Sequence, residues 1–384
     1  MKKNLAVLIF FFSIIACAGL SVSFADDVPV YERIAIIGEK GANGIFDPSI
    51  VYQKDGTGWM VYSSVNFFLI ETNLAVTNDG GKTWRFVATI NKAVKDSVKY
   101  RGWKVKGFWV HETPSLVYDP EDTGREWKLF WHKYFYKAPF GPKNHIWTYG
   151  GIAFKYASAP DGPWSEEILL PMRDYQKFYD KKVPVMSDID SSLRHFSLFY
   201  EVGAVSEEGI IYLSLDASVT ETGLGMWDKR KVILLSSQDH GKSWNFVNEL
   251  TTSADAVELG YLAFSASSIV KEKGRLFLLV SPVGSLKGRN KGHDGAYVFE
   301  FEDISRGLLK RDAQKGLIAH KFIPLGLTKD EPDDNYESTS GGPSGYDENN
   351  SYGGVVFSQI NPRWGSRAFR LYNTQIKIVD QAGR

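Results

Sequence analysis

The feature that most constrains this chain is a strand–turn–strand unit that recurs five times. It reads DPSIVYQKDGTGWMVYSS at 47–64, TPSLVYDPEDTGREWKLFWHK at 113–133 and EVGAVSEEGIIYLSLDAS at 201–218. It returns as ASSIVKEKGRLFLLVSP at 266–282 and GPSGYDENNSYGGVVFSQ at 342–359. Each copy is a strand, an acidic or glycine-bearing turn, and a second, more apolar strand rich in β-branched and aromatic residues. No long amphipathic helical period interrupts them. One such unit cannot bury its own apolar face, so the copies must pack on one another. Read as the inner hairpins of four-stranded antiparallel blades, five units predict an all-β chain, a five-bladed β-propeller. Residues 26–384 divide among five blades at about 72 each, which predicts a single domain.

The outer hairpins carry markers of their own. Segments 77–84 (TNDGGKTW) and 237–244 (SQDHGKSW) follow the first and third units. Between them, 158–164 (SAPDGPW) is a degenerate version, and the three tryptophans fall at 84, 164 and 244, two steps of 80 residues. The Asp accepts backbone N–H bonds across the turn, a Gly takes positive φ, and the Trp packs between sheets. These turns therefore hold hairpins together. Segment 30–37 (VYERIAII) reads as a lone strand expected to complete the last blade beside 371–378, leaving no long free edge. Segments 91–110, 174–197 and 332–350 are too polar or irregular for blades and are expected to be long loops.

Lys+Arg and Asp+Glu both number 45, so the chain lacks the basic excess that nucleic-acid binding needs. The N-terminus reads MKKNLAVLIFFFSIIACAGLSVSFA, a basic start, an apolar run and small residues before Asp26. This is the pattern of a signal peptide over 1–25, and predicts a secreted or periplasmic protein. IIAC at 14–17 offers an alternative, a lipoprotein anchored in the membrane through Cys17. Cys17 is the one cysteine, so neither a disulfide framework nor a cysteine-ligated zinc is available.

In a propeller the first strand of each blade lines the central channel, and its start faces the ligand. Asp47, Glu112 and Glu201 occupy comparable places there in three successive units. Carboxylates converging in a half-buried channel repel one another, so at least one must hold its proton. A protonated acid and an ionised carboxylate flanking a sugar ring suffice for glycoside hydrolysis. Trp109, His111, Tyr200 and Phe264 lie beside these starts and offer faces for a sugar. Capping of strand starts is the competing role for the acids. No histidine set has metal-ligand spacing, and no phosphate loop or serine elbow is present. No cofactor is expected. Asp119, Glu121 and Asp122 in DPEDTG have the residue types for a structural calcium, but a solvated turn is the reading taken.

These residues carry a resemblance. FDPS at 46–49 resembles the opening of five-bladed β-propeller glycosidases, the arabinanase/xylosidase and invertase/fructosidase families. YEVG at 200–203 is similar to their third acidic strand start, and YASAPDGPW at 156–164 resembles their blade-end hairpin. The resemblance implies Asp47 as nucleophile or base, Glu201 as acid, and a further acid assisting. Those families place an Asp in that third role. Here Glu112 is the nearest candidate, with Asp188 or Asp190 of SDIDSS as rivals. The turns at 77–84 and 237–244 match the sialidase Asp-box. Sialidases, however, use six blades and an arginine triad, and no arginine stands at a comparable strand start. A secreted glycosidase is the leading expectation, monomeric and acting on an oligo- or polysaccharide. A non-catalytic sugar-binding propeller and an exo-sialidase-like enzyme are the alternatives.

Overall fold

The computed structural model describes residues 32–40, 43–67, 69–137, 145–171, 185–219, 230–286, 293, 295–314, 316–322, 343–348, 353–361 and 368–381. Residues 1–25, with Cys17, and most of 332–350 lie outside these. Nearly all the regular structure is strand, in five groups. The first joins Gly44–Tyr52, Gly58–Asn66, Leu69–Thr77 and Trp84–Asn91. The second contains Val94–Tyr100, Trp103–Tyr118, Trp127–Lys137, His145–Ala157 and Ile168–Leu169. The third is Leu198–Glu207, Ile210–Ser218, Lys231–Ser237 and Asn245–Thr251. The fourth starts with Tyr261–Glu272, Arg275–Ser285 and Ala296–Asp303, and the fifth is Pro343–Asp347, Gly354–Asn361 and Ala368–Asn373. All five expected hairpins are present as the leading antiparallel pairs of these groups.

The leading strands lie side by side. Gly44–Tyr52 packs beside Trp103–Tyr118, then Leu198–Glu207, Tyr261–Glu272 and Pro343–Asp347 follow, and the last again neighbours the first. Serine hydroxyls stitch them: Ser49 Oγ accepts from Leu116 N (2.9 Å) and Ser115 Oγ from Ala204 N (2.9 Å). Glycine is required where strands touch. A Cβ on Gly203 would fall 2.5 Å from Ser268 Cα, and one on Gly345 would fall 2.2 Å from the Pro48 carbonyl oxygen. Apolar clusters fill every space between successive groups. Phe130 and Phe154 meet Leu213 and Trp244 between the second and third, and Leu234 meets Phe264 and Phe299 between the third and fourth.

The N-terminal strand pairs much as expected. Glu32–Ile34 runs antiparallel to Ala368–Asn373, with Ile34 opposite Leu371. The next two residues, Ile36 and Ile37, instead pair in parallel with Trp84 and Arg85 of the first group. Two pairings thus tie the N-terminal segment to both neighbouring groups, which share a hydrogen-bonded sheet through Gly44 and Phe369. The turns around Asp79 and Asp239 are built alike. Asp239 Oδ1 accepts from Ser243 N (2.8 Å) and Asp79 Oδ1 from Thr83 N (2.9 Å). Each carboxyl is held at about pKa 2 by the hydroxyl and N–H bonds from residue 83 or 243, against the cost of burial.

The expectation of a loop over 91–110 is corrected. Val94–Tyr100 and the first half of Trp103–Tyr118 form a hairpin in continuous register, from Val94 opposite Trp109 to Tyr100 opposite Trp103. The ribbon is polar overall because it projects from the core. One face still alternates, setting Val98, Val105 and Trp109 against Phe135 and Tyr149.

Candidate functional site

The first four leading strands each break register against their hairpin partner. The shifts fall between Phe46 and Ser49, Glu112 and Ser115, Tyr200 and Gly203, and Ser265 and Ser268. Inside each bulge one non-glycine residue has left-handed backbone: Asp47 (φ 52°), Thr113 (49°), Glu201 (53°) and Ala266 (52°). Such conformations are strained, cluster at functional sites, and re-aim the side chain that a bulge carries. The structural equivalence is therefore Asp47, Thr113, Glu201 and Ala266. Glu112 sits one residue earlier, a correction to the comparable placing read from sequence.

Asp47, Thr113, Pro114, Glu201, Ala266 and Ser267 line one pocket, at the bulges of the first four leading strands. Glu201 is surrounded by its own kind. Burial, then repulsion from Asp47, Asp216 and Glu112 in that order, lifts its pKa well above the carboxylate range, with Arg230 opposing. So Asp47, Glu112 and Glu201 do come within electrostatic reach of one another.

Two groups that the sequence reading missed complete the arrangement. Asp216 lies directly across from Tyr200 on the neighbouring strand and is fully buried. Neither of its carboxylate oxygens makes a hydrogen bond of good geometry among the described residues. The Ser265 and Ser267 hydroxyls lie alongside, and Arg230 Nη1 is 3.6 Å away. Burial raises the Asp216 pKa to about 7, against the pull of Arg230. The Arg230 guanidinium is itself buried, 4.7 Å over the Tyr200 ring. Burial and then Arg230 also push His293 down to about 4. The available signal for Asp216 was a lone acid inside an apolar strand, IIYLSLDAS, where an ionisable group is rarely found without a task.

The other expected sugar contacts do not gather here. Tyr200 stays beside the site, with Arg230 over its ring and His132 tilted against it. Phe264 is core, packed edge-on against Tyr297 and Phe299. Trp109 and His111 line a separate hollow with Lys133 and Lys155. Strand alternation is the reason, since His111 and Glu112 are adjacent and must face opposite ways. Asp188 is exposed and caps the short helix Met186–Ile189, accepting from Val185 N (3.4 Å). Asp190 caps the next turn through Ser192 N (2.8 Å).

In the DPEDTG turn Pro120, Glu121, Thr123 and Gly124 are exposed, but its two aspartates are not solvated, a further correction. Asp119 and Asp122 are buried, and Lys128 Nζ lies 2.9 and 3.0 Å from their carboxylates with its own side chain wholly enclosed. His240 Nδ1 reaches Asp119 at 2.9 Å from the third group. Asp119, Asp122 and His240 have the donor set for a cation. The Lys128 ammonium already stands among them as that cation.

This all-β fold is one used by glycoside hydrolases. The catalytic domain of the GH62 α-L-arabinofuranosidase of Coprinopsis cinerea superposes with a TM-score of 0.51 at 11% identity, over 90% of this chain and 97% of that one. The exo-β-1,3-galactanase of Clostridium thermocellum gives a TM-score of 0.50 at 10% identity, over 89% of this chain. The chain spans 61% of the galactanase. At such identities the likeness is one of fold. No protein-family model matches the chain, and no curated protein is significantly similar to it in sequence.

Proposed function

We propose that the protein is an exported glycoside hydrolase, a single closed five-bladed propeller over residues 26–384 with an export segment at 1–25. Supporting closure are the leading strands, each beside the next and the last beside the first. The observation that carries the activity is the convergence of Asp47, Glu112 and Asp216 on Glu201, with Arg230 the counter-charge. In this reading Glu201 keeps its proton at neutral pH and donates it to the departing glycosidic oxygen. Asp47, set on the equivalent bulge of the first leading strand, takes the role of the carboxylate that attacks the anomeric carbon or activates a water. Glu112 and Asp216 add to the repulsion that raises the Glu201 pKa and so help preserve its proton. The alternative enzyme reading, an exo-sialidase, calls for several arginines around the pocket. Among the described residues Arg230 stands beside Glu201, and Asp216 and Tyr200 engage it.

The two fold neighbours make α-L-arabinofuranosides and β-galactosides the first substrates to offer. Glu201→Gln and Asp47→Asn are each expected to slow hydrolysis of the accepted aryl glycoside about 10²- to 10⁴-fold, with the melting temperature unchanged. Retained hydrolysis in either variant would overturn the assignment. Glycan binding with no product from the unaltered protein would favour a non-catalytic binding propeller.

A further inference from the structure

The hollow that holds Trp109 and His111 shares no lining residue with the carboxylate pocket. It opens between the outer strand Trp84–Asn91 and one face of the second group. Its polar groups are fixed by packing. Lys155 Nζ is 3.0 Å from Asn91 Oδ1 and 5.7 Å over the Trp131 ring. Lys133 Nζ is 2.5 Å from Glu167 Oε1 and 5.1 Å over the Trp109 ring. The Trp109 indole N–H donates to Asp96 Oδ2 at 2.8 Å, which sets the ring plane.

His111 is the unusual member. It is 5% exposed, and its Nδ1 has no hydrogen-bond partner. Burial first, then the charges of Lys133 and Lys155, push its pKa to about 3, so the ring is neutral. A backbone hydrogen bond at Lys92 engages the ring, leaving Nδ1 as an acceptor buried in the wall of the hollow. A buried acceptor left unmet is costly, a cost the fold carries in this wall of the hollow. A half-exposed indole beside fixed cations and carboxylates is the usual furniture of a saccharide site.

Charge says which saccharide. The chain is neutral overall, yet 92–106 holds five lysines and Arg101 against Asp96. Lys95, Lys99, Lys104 and Lys106 are exposed and share one face of the ribbon, with Lys99 directly opposite Lys104. Like charges in that position destabilise a ribbon. None of the four forms an ion pair among the described residues. The ribbon therefore carries a positive field at a cost in stability, beside a hollow lined by Lys92, Lys133 and Lys155 against Asp96 and Glu167. Such a field raises the local concentration of an anionic ligand.

We propose that this hollow, with the lysine ribbon beside it, is a second saccharide subsite that takes a glycan bearing carboxylate or sulfate groups. A sugar face lies on Trp109, and its anionic group meets Lys133 and Lys155. The inference rests on the carbohydrate reading above but not on catalysis.

The test is calorimetric binding to the Glu201→Gln protein at two salt concentrations, with four probes: an oligogalacturonate, a sulfated dextran oligosaccharide, a neutral arabino-oligosaccharide and oligo(dT). One or both anionic sugars should bind at least tenfold more tightly than the neutral one, and which of them binds separates uronate from sulfate recognition. Lys133→Met with Lys155→Met keeps the aliphatic stems and should weaken that binding at least tenfold. Replacing the four exposed ribbon lysines by Gln, which touches no core contact, should flatten its salt dependence. Equal affinity for neutral and anionic sugars, unchanged affinity in both sets of variants, or equally tight oligo(dT) binding would each overturn the subsite. A protein that binds these glycans but hydrolyses nothing would lose the enzyme reading alone.

Discussion

Two buried clusters of charge sit in neighbouring parts of this molecule, and they are balanced in opposite ways. Around Asp119 and Asp122, two carboxylates share one enclosed ammonium at 2.9 and 3.0 Å, and Arg125 adds a second cation at 2.9 Å from Asp122. Burial alone would raise the Asp122 pKa, but Lys128 and then Arg125 hold it below its usual value. Around Glu201, four carboxylates face one arginine, and its nearest approach to Asp216 is 3.6 Å. There burial and mutual repulsion win, and the pKa values of Glu201 and Asp216 rise. The same side-chain types give a clamp between sheets in one place and a proton store in the other. The ratio of charges decides which.

The comparison can be broken most sharply at Lys128. Lys128→Met leaves two buried carboxylates without their shared cation and should cost about 3–5 kcal/mol of stability by chemical denaturation. A loss near zero would mean that the clamp is not one. The next effect is in the pH dependence, where the clusters should have opposite signs. Asp216, raised from 3.8 to about 7, contributes stability that is full below about pH 3.8 and lost as pH rises through about 7. Asp122, depressed, contributes stability present above its unfolded value and lost as pH falls. Thermal melts across pH should therefore flatten on the neutral side in Asp216→Asn and on the acid side in Asp122→Asn. Identical curves for the two variants would erase the distinction. The smallest effect is expected for Glu201→Gln, which relieves repulsion and should leave stability unchanged or raise it by about 1 kcal/mol. A clear loss would place Glu201 with the structural cluster instead.

The five hairpins were legible because inner strands are apolar and their turns carry Gly, Asp or Asn, both local signals. Asp47 and Glu201 were legible because they open a repeat. Asp216 and Arg230 were not, since they reach the site from other strands through the pairings of Tyr200 with Asp216 and of Ala217 with Lys231. Register across strands is not written in local spacing. Trp109 and His111 were assigned to the wrong cavity because closeness along a strand is not closeness in space, where successive side chains diverge. The Val94–Trp109 ribbon was hidden by its lysines, although Val98 and Val105 kept the period-two pattern on its inner face.

The pairing of Glu32–Ile34 with Ala368–Asn373 also sets an order of events during synthesis. Glu32 must meet Asn373, some 340 residues later. At ordinary translation rates the early strand waits about 20–70 s before its partner exists. Through that interval its backbone donors and acceptors are unpaired, open to a chaperone or to a second nascent chain. The fifth group can finish only after Ala368–Asn373 has left the ribosome, later than the strands of the other four groups.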